Sequence, residues 1–112
     1  MTVFVVESYL VKPEKIEQNN VLLQKLARLL KEQPAKFKMV KSYKTYTETF
    51  GTWGYSLEFW EMGDISDWNK IFEMMMKDEE LKNFPEEFFS LIIPGTHQLH
   101  LMDKTAEYTA TK

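Results

Sequence analysis

The segment YSLEFWEM carries a single carboxylate, Glu58, in the centre of an otherwise apolar, strand-like run. Side chains alternate between the two faces of a strand, so an assignment of Leu57 and Phe59 to the helix-packing face sends Glu58 to the other face. A carboxylate that is shielded from water either pairs with a cation or has a raised pKa and can act as a base. Glu58 is therefore predicted to be a base or a ligand anchor. The alternative is an ion pair with Lys41 or Lys44 of the neighbouring strand.

The segment THQLHLMD offers a histidine on the same predicted side of the sheet. If Leu99 and Leu101 face the helices, His100 shares the face of Glu58 and His97 points the other way. We therefore predict that Glu58 and His100 are the catalytic residues of one cavity, although a hydrogen-bonded structural role is the alternative for the histidine. The two histidines are three residues apart on a strand and the chain has no cysteine, so no metal site is expected.

Acidic and aromatic side chains are predicted to line the same cavity. Glu7 and Tyr9 share one face of the first strand, but the apolar residues of that strand occupy both faces, so the pattern alone does not decide the side. We assign both to the cavity because the alternate residues make the better helix-packing set. For Trp68, at the start of a helical stripe, a core position is the alternative. The predicted ligand pocket comprises Glu7, Tyr9, Tyr43, Trp60 and Trp68.

Composition restricts the class of protein. A chain of 112 residues with 44% hydrophobic content has room for one domain and one core. Its net charge is −3 and its lysines are dispersed, so a nucleic-acid partner is not expected. No apolar run approaches the ~20 residues of a membrane span, and the first residues lack the features of a signal peptide. A cytoplasmic protein without a membrane partner is the expectation.

The order of elements predicts the fold class. Apolar periodicity predicts strands over 2–11, 37–46, 52–62 and 96–103, a long helix from Pro13 to just before Pro34, a second helix from Asp64 or Ser66, and a short helix at Pro85. This β-α-β-β-α-β order is typical of an α+β, ferredoxin-like domain, with a four-stranded antiparallel sheet and the helices on one face. We expect a single domain over residues 1–104 and a polar C-terminal tail over 105–112.

The uncovered face of that sheet predicts a partner. The third strand is apolar on both faces, whereas the helices can cover only one of them. A large bare apolar patch is rare on a soluble monomer. A homodimer formed through the sheet face is the simplest cover.

A strand that ends in Trp60-Glu61 and is followed by a capped helix, together with a first strand that runs into Lys12-Pro13 and a long helix, resembles the antibiotic biosynthesis monooxygenase type of dimeric α+β barrel. The resemblance implies a homodimer with a small-molecule cavity in each protomer. Members oxygenate aromatic polyketides without a cofactor, oxidise quinols or degrade haem. The haem-degrading members use an asparagine in the first strand and a histidine in the second helix. This chain has neither, so no cofactor is expected.

Two functions are compatible with these features. The first is a cofactor-independent monooxygenase-like activity on a small aromatic or quinol-type substrate. In that mechanism His100 or Glu58 removes a proton and the resulting carbanion reacts directly with O₂. The second is a non-catalytic homodimeric module that binds a small ligand or serves only in assembly, with Glu58 in a structural ion pair.

Overall fold

The structure, a computed structural model, describes residues 2–111. The predicted first residue of the domain, Met1, and the predicted last residue of the tail, Lys112, lie outside this range. The elements in chain order are β1 (Val3–Leu10), α1 (Ile16–Glu32), β2 (Ser42–Thr47), β3 (Tyr55–Met62), α2 (Ser66–Lys77), α3 (Phe84–Leu91) and β4 (Gln98–Asp103). A single 3-10 turn, Pro13–Lys15, leads into α1. Residues 104–111 form neither helix nor strand.

The four strands form one antiparallel sheet in the order β2-β3-β1-β4. The central strand β1 pairs with β3 on one side and with β4 on the other, while β2 forms the far edge. The helices pack on one face of the sheet and leave the other face open. The predicted α+β, ferredoxin-like fold is confirmed. Among the described residues, no helix has the length and apolarity needed to cross a membrane.

The main core lies between the sheet and the helices α1 and α2. It combines the alternate residues of the two central strands with the inner stripes of the helices and with Phe37 and Leu81 from the connections: Val3, Val5, Leu26, Leu29, Phe37, Trp60, Met62, Ile71, Met75 and Leu81. A second cluster under α3 contains Tyr9, Val11, Leu22, Phe88, Leu91 and Ile92. Burial of this apolar surface holds the helices on the sheet.

The prediction that Leu57 and Phe59 face the helices is wrong. Trp60 and Met62 are buried in the main core instead, and Glu58 lies on the same side, because alternate residues share a face. The pairing of β1 with β3 runs without a bulge over the whole length of both strands. The error is therefore one of face and not of register. The two large side chains of Trp60 and Met62 fill more of the space under the helices than Leu57 and Phe59 can.

The same reversal applies to β1. Its residues Glu7 and Tyr9 lie on the helix-covered face, where they pair in register with Glu58 and Ser56 of β3. The assignment of β4 is correct, because Leu99 and Leu101 pair with the helix-facing residues of β1.

The strands β2 and β3 begin three or more residues later than their patterns predict. Phe37 is buried in a turn that follows α1, and the turn is closed by a hydrogen bond from the Phe37 N–H to the Gln33 carbonyl, so β2 begins only at Ser42. At the start of β3, Gly54 has a φ of +86° and its carbonyl accepts a hydrogen bond from the Val11 N–H. A Cβ at this position would lie 2.8 Å from the Val11 carbonyl oxygen. Only glycine satisfies both conditions there.

Candidate functional site

Two carboxylates face each other across the central strands on the helix-covered side. Glu7 of β1 is the register partner of Glu58 of β3. Directly opposed side chains in an antiparallel pair have Cβ atoms about 4.5–5.5 Å apart, and like charges in such a position repel each other. The surroundings of the two carboxylates differ, and this difference defines two neighbouring parts of the site.

Glu7 belongs to a hydrogen-bonded group with His97 and Trp60. Its Oε1 lies 2.8 Å from Nε2 of His97, and its Oε2 accepts a hydrogen bond of 2.8 Å from Nε1 of Trp60. The side chains of Glu7 and His97 are only 13% and 21% exposed. In the tautomer that donates its Nε2–H to Glu7, Nδ1 of the imidazole is left as a proton acceptor. The group is thus a histidine oriented by a carboxylate.

This pair forms part of the wall of an apolar pocket between the sheet and the helices α2 and α3. The pocket has a volume of about 230 Å³. An apolar cavity of about 150 Å³ is enough to hold benzene, so the pocket has room for a substituted ring or a fused two-ring molecule. Its walls are mainly aromatic, with Glu7 and His97 as the only ionisable side chains among them: Glu7, Trp60, Trp68, Phe72, Met75, Phe84, Pro85, Phe88, Phe89, His97 and Leu99.

Glu58 lies in a closed polar cluster beside the pocket and is not part of its wall. It is only 2% exposed, and its Oε1 accepts a hydrogen bond of 2.6 Å from the Tyr43 hydroxyl. Tyr9 of β1 and Asn19 of α1 border the same cluster. The Tyr9 hydroxyl and both side-chain polar atoms of Asn19 are buried and make no hydrogen bond of good geometry.

Burial sets the protonation of this cluster. It raises the pKa of Glu58 to about 8, and the Glu7 carboxylate adds to the shift, whereas the nearby hydroxyls of Tyr43 and Tyr9 oppose it. Burial, followed by the proximity of Glu58, also raises the pKa values of Tyr9 and Tyr43 above their usual range. At neutral pH, Glu58 and both tyrosines therefore hold their protons.

The alternative ion pair of Glu58 with a lysine is not formed. Lys44 pairs in register with Phe59, which places it on the open face of the sheet. Lys41 donates a hydrogen bond to the Thr2 hydroxyl. Within residues 2–111, no salt bridge involves Glu58. A buried carboxyl without a cation favours its neutral form.

The prediction that Glu58 and His100 share a cavity is wrong. His100 is exposed and pairs in register with Val6, on the open face, so the sheet separates it from Glu58. The histidine near the carboxylates is His97, which the sequence pattern assigned to the other side. His97 precedes the first residue of β4, so strand alternation does not apply to it. Its ring packs edge-on against Phe88, with the centroids 5.8 Å apart.

The other predicted pocket residues all lie on the helix-covered face or on the helices. Glu7, Trp60 and Trp68 line the pocket, and the two indole rings pack edge to face with centroids 5.6 Å apart. Tyr9 and Tyr43 lie in the polar cluster beside it. Sequence reasoning missed the phenylalanines of α2 and α3 that complete the wall. Their helical spacing alone could not show which of them border a cavity.

Potential metal ligands do not converge in the part of the chain that the structure covers. Residues 2–111 contain no group of three or more histidine or acidic side chains that could hold a metal ion.

Comparisons of the sequence with protein-family models and with curated proteins found no match. Solved structures do match. A protein from Caulobacter crescentus, described as a candidate antibiotic biosynthesis monooxygenase, aligns with a TM-score of 0.72 at 14% identity, over 94% of this chain and 91% of the other. A NIPSNAP family protein from Agrobacterium tumefaciens aligns with a TM-score of 0.71 at 12% identity, over 93% and 86%. At these identities the likeness shows a shared fold, that of the antibiotic biosynthesis monooxygenase-like proteins.

Proposed function

We propose that this protein is a cofactor-independent monooxygenase-like enzyme that acts on a small aromatic or quinol-type substrate in the pocket beside Glu7 and His97. The observation that carries the proposal is a carboxylate-oriented imidazole at the wall of an otherwise aromatic pocket. A base of this kind in mainly aromatic surroundings is suited to removing a weakly acidic proton. The fold shared with proteins that are named as monooxygenases supports the same activity class.

For an aromatic substrate that carries an activated CH₂ group, the reaction uses O₂ as the oxidant. His97 removes one proton from this group, and the resulting carbanion transfers electrons to O₂ as the new C–O bond forms. The peroxide takes the proton back from the imidazolium. Loss of the second C–H proton with cleavage of the O–O bond then leaves a carbonyl group and releases water. One CH₂ group and one O₂ thus give one C=O group and one H₂O.

The proposal is tested with two-ring probes that match the pocket volume: 2-indanone, which supplies the activated CH₂ group, in oxygen uptake, and naphthalene-1,4-diol as a quinol-type probe of binding. We expect saturable uptake with 2-indanone and, under ¹⁸O₂, the appearance of one labelled oxygen in the dione product. Binding of either probe without turnover by the intact protein would favour the ligand-binding module instead. The absence of both binding and turnover would overturn the use of this pocket.

We further propose that two copies associate through the open face of the sheet. Tyr46, Tyr55 and Met102 are exposed on this face, and Leu57 and Phe59 beside them are half-buried. Tyr46, Leu57 and Phe59 line a concave region of about 510 Å³ on this face. Apolar side chains in such a row need cover in water.

The dimer is expected to bury on the order of 2,000 Å² and to persist at micromolar concentration. A lysine in place of Leu57 places a charge in the centre of the face and should produce monomers in sedimentation equilibrium. The matched control is Val21→Lys, because Val21 is 61% exposed on the outer surface of α1. A folded wild-type monomer at micromolar concentration would contradict the proposal.

A further inference from the structure

A continuous path of contacts joins the buried carboxyl of Glu58 to the pocket. The Tyr43 hydroxyl donates to Glu58, and the Tyr43 ring packs on Trp60 with the centroids 4.3 Å apart. The indole N–H of Trp60 in turn donates to Glu7, which holds His97. Tyr43 thus contacts the residue whose indole N–H holds the second oxygen of Glu7.

No lysine, arginine or histidine among residues 2–111 forms a salt bridge with Glu58. The groups that face it from the neighbouring strands are Glu7 and Tyr9 of β1 and Tyr43 and Thr45 of β2, and Asn19 of α1 borders Tyr9. Glu7 is the only other carboxyl among these groups, and the rest are hydroxyl and amide groups. Buried polar atoms are almost always hydrogen-bonded, and the unpaired atoms of Tyr9 and Asn19 supply donors and acceptors for a neutral acid.

We infer that Glu58 is a positioning residue for the pocket: as a neutral carboxylic acid it holds Tyr43 against Trp60 and leaves a single negative charge, that of Glu7, beside the imidazole of His97. The inference depends on the proposed function for the use of the pocket, but its test requires no turnover. Glu7 and Glu58 are register partners, so a charge gained by Glu58 acts on the hydrogen-bonded pair of Glu7 and His97.

The first measurement is infrared difference spectroscopy of the intact protein at pH 7. We expect the carbonyl band of a protonated carboxylic acid in the wild type and its loss in Glu58→Gln. In the wild type, the band should disappear as the pH rises through about 8. In Tyr43→Phe, the band should persist to higher pH, because the mutation removes a hydrogen bond that favours the ionised form. Absence of the band from the wild type at pH 7 would overturn the inference.

The second measurement follows the imidazole resonances of His97 by NMR over the same pH range. We expect an alkaline inflection in the wild type that coincides with loss of the acid band and is absent from Glu58→Gln. The control is Glu61→Gln, on the same strand but the opposite face, which should retain the inflection. If the acid band titrates while the His97 resonances show no such inflection, Glu58 is a buried acid without a positioning role. If Glu58→Gln fails to fold, Tyr43→Phe is the deciding variant. A move of both the acid band and the His97 inflection to higher pH supports the inference, and a move of the acid band alone overturns it.

Discussion

Glutamine in place of Glu58 is expected to stabilise the folded protein at pH 8 and to have little effect at pH 4. The pKa of Glu58 is raised from about 4.5 in the unfolded chain to about 8 in the folded protein. The folded state therefore binds this proton more tightly, and stability from this group is complete below about pH 4.5 and is lost as the pH rises through 8. Glutamine has nearly the shape of glutamic acid but no titrating proton, so the variant does not lose stability as the pH rises.

The expected gain at pH 8 is about 2–4 kcal/mol in the free energy of unfolding, since each unit of pKa shift corresponds to about 1.4 kcal/mol and a buried amide has a desolvation cost of its own. Urea denaturation of the wild type and the variant between pH 4 and pH 8 measures the difference. The matched control is Glu61→Gln, because Glu61 is partly exposed on the same strand. A variant that is less stable than the wild type at pH 8 would show that Glu58 is ionised and favourably paired.

Alanine in place of His97 is expected to reduce turnover by about 10²–10⁴-fold, which is the usual contribution of a positioned general base. Glu7→Gln should also reduce turnover, because the amide can present its NH₂ group to Nε2 and so favour the wrong tautomer of the imidazole. Both losses should fall mainly on kcat and less on KM, since neither change removes the aromatic wall. Oxygen uptake with 2-indanone over a range of concentrations separates the two constants.

The informative control for this prediction is His100→Ala. His100 is exposed on the other face of the sheet, so its removal should leave turnover unchanged while the dimer persists. If His100→Ala abolishes turnover and His97→Ala does not, the assignment of the base is wrong. Equal and small effects of both variants would favour a binding module over an enzyme.

The fold was predictable because its signals are local. Pro13 marks the entry to α1, Pro34 forces the helix to end before it, and the apolar stripe between them has the helical period. The change from period two to helical spacing after Met62 marks the passage from β3 to α2. Element order then leaves few topologies for a chain of this length.

The faces of the central strands were not predictable, because β1 and β3 are apolar on both sides. Alternation says which residues share a face but not which face meets the helices. The site depends on this choice. The pairing of Glu7 with Glu58 is a contact between strands far apart in the sequence, and the place of His97 depends on the turn at Pro94-Gly95 that precedes β4. Neither leaves a signal in a single sequence.

The central claim is that a small aromatic molecule binds between the sheet and the helices, against Glu7 and His97. NMR titration of the wild-type protein with 2-naphthol, following the imidazole of His97, the methyl groups of Leu99 and those of Leu57 on the opposite face, tests it most directly. We predict saturable shifts of His97 and Leu99 with one common affinity and no shift of Leu57. Shifts confined to Leu57, or none that saturate, would contradict the claim.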